Sequence, residues 1–322
     1  MHVTFAGSPD RVEARLVPEA GYELDTFRIT GLPRRPSVEL ARALLLAGAA
    51  PRACRRIQRT RRPDVVLGGG GFVAGPMVLA ASTLRIPTAL TEADAHLGLA
   101  NRLAAPFARR IFLAYPIATR YGRKARVVGR PIPARSRAIP QDEGREIFEL
   151  PREGRVLGVF GALAGARSLN ELVVETWGAA GPPILHLTGK RDFELVRRRV
   201  ERRDYRVVEE TERFGAALSA CDLVLSRAGG TVWEFAAAGK PAILVPYPFA
   251  TGDHQALNAR HFVAAGGAIM VQELDLDDVP DLVRSLLGDE ARLARMAEAM
   301  RQAARPDAAT EIADELIALA RG

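Results

Sequence analysis

Short apolar runs without polar interruption recur along the whole chain, with amphipathic stretches between them. HVTFAG (2–7), DVVLGG (64–69), IPTALTE (86–92), RIFLAY (110–115) and ARVVG (125–129) read as strands in the first half. RVLGVFG (155–161), PILHLTG (183–189), YRVVEE (205–210), CDLVLSR (221–227) and PAILVPY (241–247) repeat the pattern in the second. A strand that is apolar on both sides must be covered on both sides, which calls for a parallel sheet between two helical layers. The spacers supply the helices: RVEARLVPEAG (11–21) closed by Gly21, then 37–60, and GPMVLAASTLR (75–85) with Pro76 in its first turn. LANRLAAPFARR (99–110), a segment from about 165, and the tail from about 289, interrupted at Arg305–Pro306, complete the set. The expected fold class is α/β, with two Rossmann-like doubly wound domains whose carboxyl strand ends border a cleft.

At 322 residues the chain is longer than one ordinary core requires. RPIPARSRAIPQDEG (130–144) has three prolines, many charges and no periodicity, and separates the two series. The expected division is 1–133, a linker at 134–150, a domain at 151–306, and a C-terminal helix at 307–322 packing back on the first domain.

Charge divides the same way. Residues 1–137 hold 23 lysines and arginines against 9 acids, whereas 138–322 hold 22 against 29. Arg52, Arg55, Arg56, Arg59, Arg61 and Arg62 form the densest basic cluster. Solvated arginine in an arginine-rich composition is one reading; a face for anionic lipid is the other. Nucleic acid is disfavoured, because aromatics are 6% of the chain and no binding module is visible. LARALLLAGAA (40–50) is too short to span a bilayer and lacks a signal-peptide layout. The only cysteines, Cys54 and Cys221, have no metal-type spacing and suit a reducing compartment.

Two segments carry the chemistry. PDVVLGGGGFVAGP (63–76) fits G-x-G-x-x-A at Gly69, Gly71 and Ala74, a pattern shared by dinucleotide sites and other phosphate loops. An NAD-dependent enzyme is the weaker reading, since the loop is not in the first β-α-β unit and no hydride-transfer site accompanies it. SRAGGTVWEFAAAGKPAILVPYPFATGDHQALNAR (226–260) is denser. A strand ends at Ser226–Arg227 and a Gly229–Gly230 turn opens a helix, whose backbone N–H groups and dipole favour a phosphate. Glu234, one turn in, can accept both hydroxyls of a ribose, and Asp253, His254, Gln255 and Asn258 follow the next strand.

This second segment resembles the donor site of two-Rossmann-domain (GT-B type) glycosyltransferases, and specifically that of the MurG family. DVVLGGGGFVAGPMVLAA resembles the family's G-G-Y-V-S-G-P loop, and LTEADAHLGLANRLAAPFARR its H-E-Q-N…G-L-x-N-R segment. VFGALAGARSLNEL (159–172) resembles its third glycine loop, and RVEARLVPEAG the segment after its first β-α unit. The resemblance implies an inverting transfer of N-acetylglucosamine from UDP-GlcNAc to undecaprenyl-pyrophosphoryl-MurNAc-pentapeptide, in peptidoglycan synthesis and thus in cell shape and division. It implies that Glu234 holds the ribose, that Gly229, Gly230 and Thr231 border the diphosphate with Arg227 beside them, and that Gln255 meets the sugar hydroxyls. It further places Ala162 and Leu163 near the donor phosphates, Asp94 near the donor sugar, and Gly69, Gly70, Gly71 and Phe72 on the acceptor side. Glu92, Asp94 and His96 are the candidates for the base. No cofactor and no metal are expected, and Asp275, Asp277 and Asp278 read as a solvated connector. The implied partners are UDP-GlcNAc, the lipid-linked acceptor, an anionic membrane surface and other cell-wall synthesis enzymes, with no nucleic acid. The implied location is peripheral, on the cytoplasmic face of the membrane. Leu97, Leu99, Leu103 and Phe107, with Arg102, Arg109 and Arg110, have the layout of an interfacial anchor, or else form core.

The chain departs from the family pattern in several places. Leu163 replaces a serine, Thr91 a histidine and Asp94 an asparagine, and RAGGTVWE is one residue short. In GRPIP (129–133) Pro133 takes the family's arginine position, leaving Arg130 as the candidate substitute. The family's first strand, G-G-T-G-G-H loop and first helix have no counterpart before His2, so the first domain is expected to be truncated. A related lipid glycosyltransferase with another acceptor, or an inactive homologue that only binds sugar nucleotide, are the alternatives.

Overall fold

The computed structural model describes residues 2–31, 37–161 and 166–322. The chain forms two compact units, one of residues up to Val128 together with Thr310–Gly322, the other Gly129–Ala309. In unit 1 the order is β1 (Thr4–Gly7), α1 (Glu13–Glu19), β2 (Glu23–Thr26), α2 (Val38–Arg61), β3 (Val66–Gly68), α3 (Gly71–Thr83), β4 (Thr88–Glu92), α4 (Leu99–Ala104), β5 (Arg110–Leu113) and β6 (Ala125–Val127). Strands β1 and β2 pair in parallel as one sheet, and β3-β4-β5-β6 form a second parallel sheet. Ala6 of β1 and Val73 and Met77 of α3 pack against one buried cluster that includes Ala50 and Cys54 of α2 and Ala80 of α3, so α2 and α3 join these layers into one core.

Unit 2 contains α5 (Gln141–Ile147), β7 (Leu157–Phe160), α6 (Arg167–Trp177), β8 (Ile184–Leu187), α7 (Phe193–Arg197), β9 (Tyr205–Val208), α8 (Phe214–Ala220) and β10 (Leu223–Ser226). It continues through α9 (Val232–Ala237), β11 (Ala242–Leu244), α10 (His254–Ala264), β12 (Ala268–Met270), α11 (Val279–Gly288) and α12 (Glu290–Ala303). Helix α13 (Ala308–Arg321) returns the chain to unit 1. All six strands of unit 2 are parallel, in the order β12-β11-β10-β7-β8-β9. Every residue of β7, β8, β10 and β11 is buried, as strands covered on both faces must be. Strand order reverses between β7 and β10, and a doubly wound sheet presents its ligand crevice beyond the carboxyl ends of the strands at that switch point.

Three details differ from the sequence reading. Helix α3 begins at Gly71 rather than 75, because Gly70 (φ 85°) and Gly71 (φ 66°) turn the chain in a left-handed conformation that only glycine adopts without strain. Pro76 therefore lies inside the helix, not in its first turn. Strands β2 and β12, absent from the sequence reading, are short, and ELDT in β2 carries two acids that disguise it. Residues 130–144, read as the connection between the domains, belong to unit 2: Ile139 N–H donates to Ser219 Oγ at 3.0 Å, and a Cβ on Gly215 of α8 would overlap the Arg137 carbonyl.

Helix α13 presents Ile312, Leu316 and Leu319, one turn apart, to Ala89, Phe112 and Val128 of unit 1. Glu315 beside them bonds Arg110 at 3.1 Å and also pairs with Arg126. Ile312→Ala removes a buried side chain at a cost of about 2–5 kcal/mol. Both tryptophans, Trp177 and Trp233, lie in unit 2. Denaturant titration of this variant is expected to lower the far-UV circular dichroism midpoint while leaving the tryptophan fluorescence midpoint in place.

Candidate active site

The carboxyl edge of the unit 2 sheet is organised around a buried charge. Arg227 follows β10 and is 8% exposed. Its guanidinium donates to both carboxylate oxygens of Glu273, to Ser168 Oγ at 2.8 Å, and to the carbonyls of Val245 and Pro246 at 3.2 and 3.4 Å. The Arg227 hydrogen bonds hold the Glu273 carboxyl below the ordinary carboxylate range, against the opposing effect of burial. Arg227 was expected beside the donor as a ligand. Its donors are instead engaged by protein acceptors, and it ties the β10 loop to α6, to the end of β11 and to the segment after β12. Ser226 Oγ adds a 2.7 Å bond to the Phe160 carbonyl, joining β10 to β7 at the switch point.

The loop these bonds hold is Ala228–Thr231. Among the described residues, no acceptor takes the N–H groups of Gly229, Gly230 and Thr231. Arg130 lies directly on the loop, since a Cβ built on Gly230 would overlap its guanidinium. Arg130 makes no hydrogen bond or ion pair among the described residues, so a positive charge and three backbone donors converge without protein acceptors. That is the donor chemistry a diphosphate requires.

Glu234 stands in the first turn of α9 and accepts a 2.7 Å hydrogen bond from Ser136 Oγ on Oε2. Burial pushes its carboxyl above the ordinary range, while the Ser136 hydroxyl and the charges of Arg130 and Arg135 pull the other way. Gln255 is half-buried, in the first turn of α10, which Asp253 opens in a left-handed conformation (φ 55°). Its Oε1 accepts from the Tyr247 N–H at 2.9 Å, and its amide NH2 has no acceptor among the described residues. Asn258 is buried in the second turn of this helix and donates to the Ala228 carbonyl at 3.4 Å. Ala162 and Leu163 lie outside the described residues.

In unit 1 Glu92, a candidate base, is 7% exposed and serves as a bracket. It accepts from the N–H groups of Asp94 at 3.3 Å and Gly98 at 2.8 Å and from Asn101 Nδ2 at 2.9 Å. These bonds pin the loop 93–98 that carries Asp94 and His96 onto the end of β4, and Asn101 adds a 3.0 Å bond to the Thr91 carbonyl. The role of Glu92 in the structure is therefore to shape the loop. Gly69, Gly70 and Gly71 form the turn from β3 into α3, a thirteen-residue helix with no side chain capping its first N–H groups. Phe72 is half-buried against Phe27, Ile29 and Cys54, with the Arg11 guanidinium 5.7 Å from its ring centre. Of the proposed apolar patch, Leu99, Leu103 and Phe107 are 58%, 66% and 46% exposed, whereas Leu97 packs into the core beside Val78 and Leu90. Among the described residues, no three His, Cys, Asp or Glu side chains are grouped to hold a metal ion.

Two α/β units built on parallel strands, the second doubly wound with a diphosphate-type loop and a ribose-type carboxylate at its switch point, define a glycosyltransferase of the GT-B class. Residues 1–113 match the glycosyltransferase family 28 N-terminal domain and residues 156–312 its C-terminal domain. The chain is 36% identical to the UDP-N-acetylglucosamine--N-acetylmuramyl-(pentapeptide) pyrophosphoryl-undecaprenol N-acetylglucosamine transferase of Halothermothrix orenii, over 94% of this chain and 87% of the relative. It is 42% identical to the same-named enzyme of Acidithiobacillus ferrooxidans, over 100% and 91%. The crystal structure of MurG from Acinetobacter baumannii superposes with a TM-score of 0.77 at 26% identity, covering 98% of this chain and 90% of that one. The chain belongs to the MurG family.

Ser136, Ser168 and Glu273 escaped the sequence reading. Each lies far along the chain from the residue it touches, and a serine within RPIPARSRAI carries no local signal. Gly230→Ala tests the loop, because its Cβ must displace Arg130 while the backbone conformation stays ordinary. Calorimetric titration is expected to show UDP binding weakened by about tenfold, with the thermal midpoint little changed.

Proposed function

We propose that this chain transfers N-acetylglucosamine from UDP-GlcNAc to undecaprenyl-pyrophosphoryl-MurNAc-pentapeptide, as the names of its relatives describe for them. The observation that carries the donor half is the convergence of Arg130, the Gly229–Thr231 N–H groups and Glu234 beyond the end of β10. The N–H groups and Arg130 would take the diphosphate, Glu234 the ribose hydroxyls, and the Gln255 amide the sugar hydroxyls. In the reaction, an acceptor hydroxyl oxygen bonds to the anomeric carbon as the bond from that carbon to the diphosphate oxygen breaks, with inversion. The electron pair leaves with UDP, whose growing negative charge Arg130 and the backbone donors stabilise. This arrangement requires no metal, so transfer is expected to persist after treatment with EDTA.

The proton of the acceptor hydroxyl needs a base. With Glu92 committed to shaping its loop, Asp94 and His96 are the candidates. Asp94→Asn and His96→Gln, made separately, are expected to single out the base: its loss lowers kcat by about 100- to 10,000-fold with UDP affinity retained. Full activity in both variants would remove them. The glycine turn Gly69–Gly71 and the start of α3 offer backbone donors suited to the acceptor pyrophosphate.

A lipid-linked acceptor places the enzyme at a membrane surface. No helix among the described residues is long and apolar enough to cross a bilayer. Leu99, Leu103 and Phe107, exposed beside Arg102 and Arg109, fit a peripheral contact with anionic lipid on the cytoplasmic face, where cell-wall precursors are assembled. Sedimentation with vesicles containing phosphatidylglycerol is expected to fall in the triple variant Leu99→Ser, Leu103→Ser, Phe107→Ser and with rising salt. Binding indifferent to both would exclude this face. The reading as a whole is tested by incubating the chain with labelled UDP-GlcNAc and the lipid-linked muramyl pentapeptide and measuring label in the lipid fraction.

A further inference from the structure

We infer that Ser136 is a positioning residue for the sugar-nucleotide site: its hydroxyl fixes the Glu234 carboxylate in the orientation that accepts the donor's ribose. The inference rests on the proposed role of Glu234. Ser136 closes the short 3-10 turn Ala134–Ser136, is 2% exposed, and donates from Oγ to Glu234 Oε2 at 2.7 Å. No other hydrogen bond reaches that carboxylate among the described residues, so the orientation of Glu234 depends on Ser136. A carboxylate has about four acceptor positions, and this one bond leaves the others for two ribose hydroxyls.

The donor is itself held rigidly. Pro133 caps the turn in an extended conformation, and its carbonyl accepts the Ser136 N–H at 2.9 Å. Behind the turn, the Arg137 carbonyl rests against Gly215 of α8 with no room for a Cβ, and Ile139 N–H bonds Ser219 Oγ. A carboxylate locked by a hydroxyl that is locked by packing loses little rotamer freedom when ligand binds, which is the gain preorganisation provides. The same bond bears on protonation. Three groups act on Glu234 against the effect of burial: Ser136 from its turn, Arg135 from the same turn, and Arg130 from the start of the unit. Arg135 is partly offset by Glu212, 3.3 Å away. Removing the Ser136 hydroxyl leaves burial less opposed, so the carboxyl takes up its proton at higher pH and loses its capacity to accept from the ribose there.

The test is the dissociation constant of UDP, measured by calorimetry across a pH series for the full chain and for Ser136→Ala, Ser136→Thr, Ser136→Cys and Glu234→Gln. Ser136→Ala is expected to weaken UDP by about tenfold and to move the acid-side loss of binding to higher pH. Ser136→Thr, which keeps the hydroxyl, restores both, and Ser136→Cys, similar in size but a weak donor, falls between and serves if the alanine variant does not fold. Glu234→Gln separates the two ideas. If it leaves UDP affinity unchanged, the role of Glu234 fails and the inference with it. If it weakens UDP while Ser136→Ala and Ser136→Cys match the parent in affinity and pH profile, Glu234 keeps its role and the inference about Ser136 is overturned.

Discussion

The buried Arg227 guanidinium is the interaction on which the carboxyl edge of the second unit depends. A charge withdrawn from water needs acceptors close at hand. Here the acceptors come from α6, from the end of β11 and from the segment after β12. Satisfying one arginine thus fixes the relative positions of three connections that the sheet alone would leave loose. The loop it carries, Gly229–Thr231, can then present N–H groups that no acceptor among the described residues takes, because its stability comes from behind. Rigid support and unfilled donors are the two properties a diphosphate site needs, and they arise here from separate residues.

A similar economy appears in the first unit. Glu92, a candidate for proton transfer in the sequence, is buried. It accepts from the Asp94 and Gly98 N–H groups and from Asn101, and so shapes the loop bearing Asp94 and His96. At both sites a buried carboxylate or guanidinium braces the loop beside it through its hydrogen bonds.

The α/β class and the positions of most strands were legible because doubly covered parallel strands are continuous apolar runs, and the segment from Ser226 to Asn258 announced a nucleotide-type edge by its density of glycine and polar residues. Strand β12 was hidden: AIM is too short to carry a periodicity. The membership of residues 130–144 in the second unit was hidden as well, since proline and charge suggest a linker while Ser136 and Ile139 bond α9 and α8. What a sequence pattern reports is local, and the surroundings of the site residues are set by partners distant in the chain: Arg227 by Glu273, Glu234 by Ser136, Gly230 by Arg130. The exposed leucines of α4 illustrate the opposite limit, where one stretch divides between core (Leu97) and surface (Leu99, Leu103) by which side of the helix start each falls.

Two glycine loops compete for the nucleotide in this chain, one after β3 and one after β10, and the account assigns it to the second. Amide hydrogen exchange with and without UDP-GlcNAc, read by mass spectrometry of the full chain, distinguishes them directly. The account predicts slowed exchange in peptides spanning residues 226–237 and 130–137, with the segment 66–76 unchanged by donor alone. Protection centred on 66–76, with 226–237 unaffected, would contradict it.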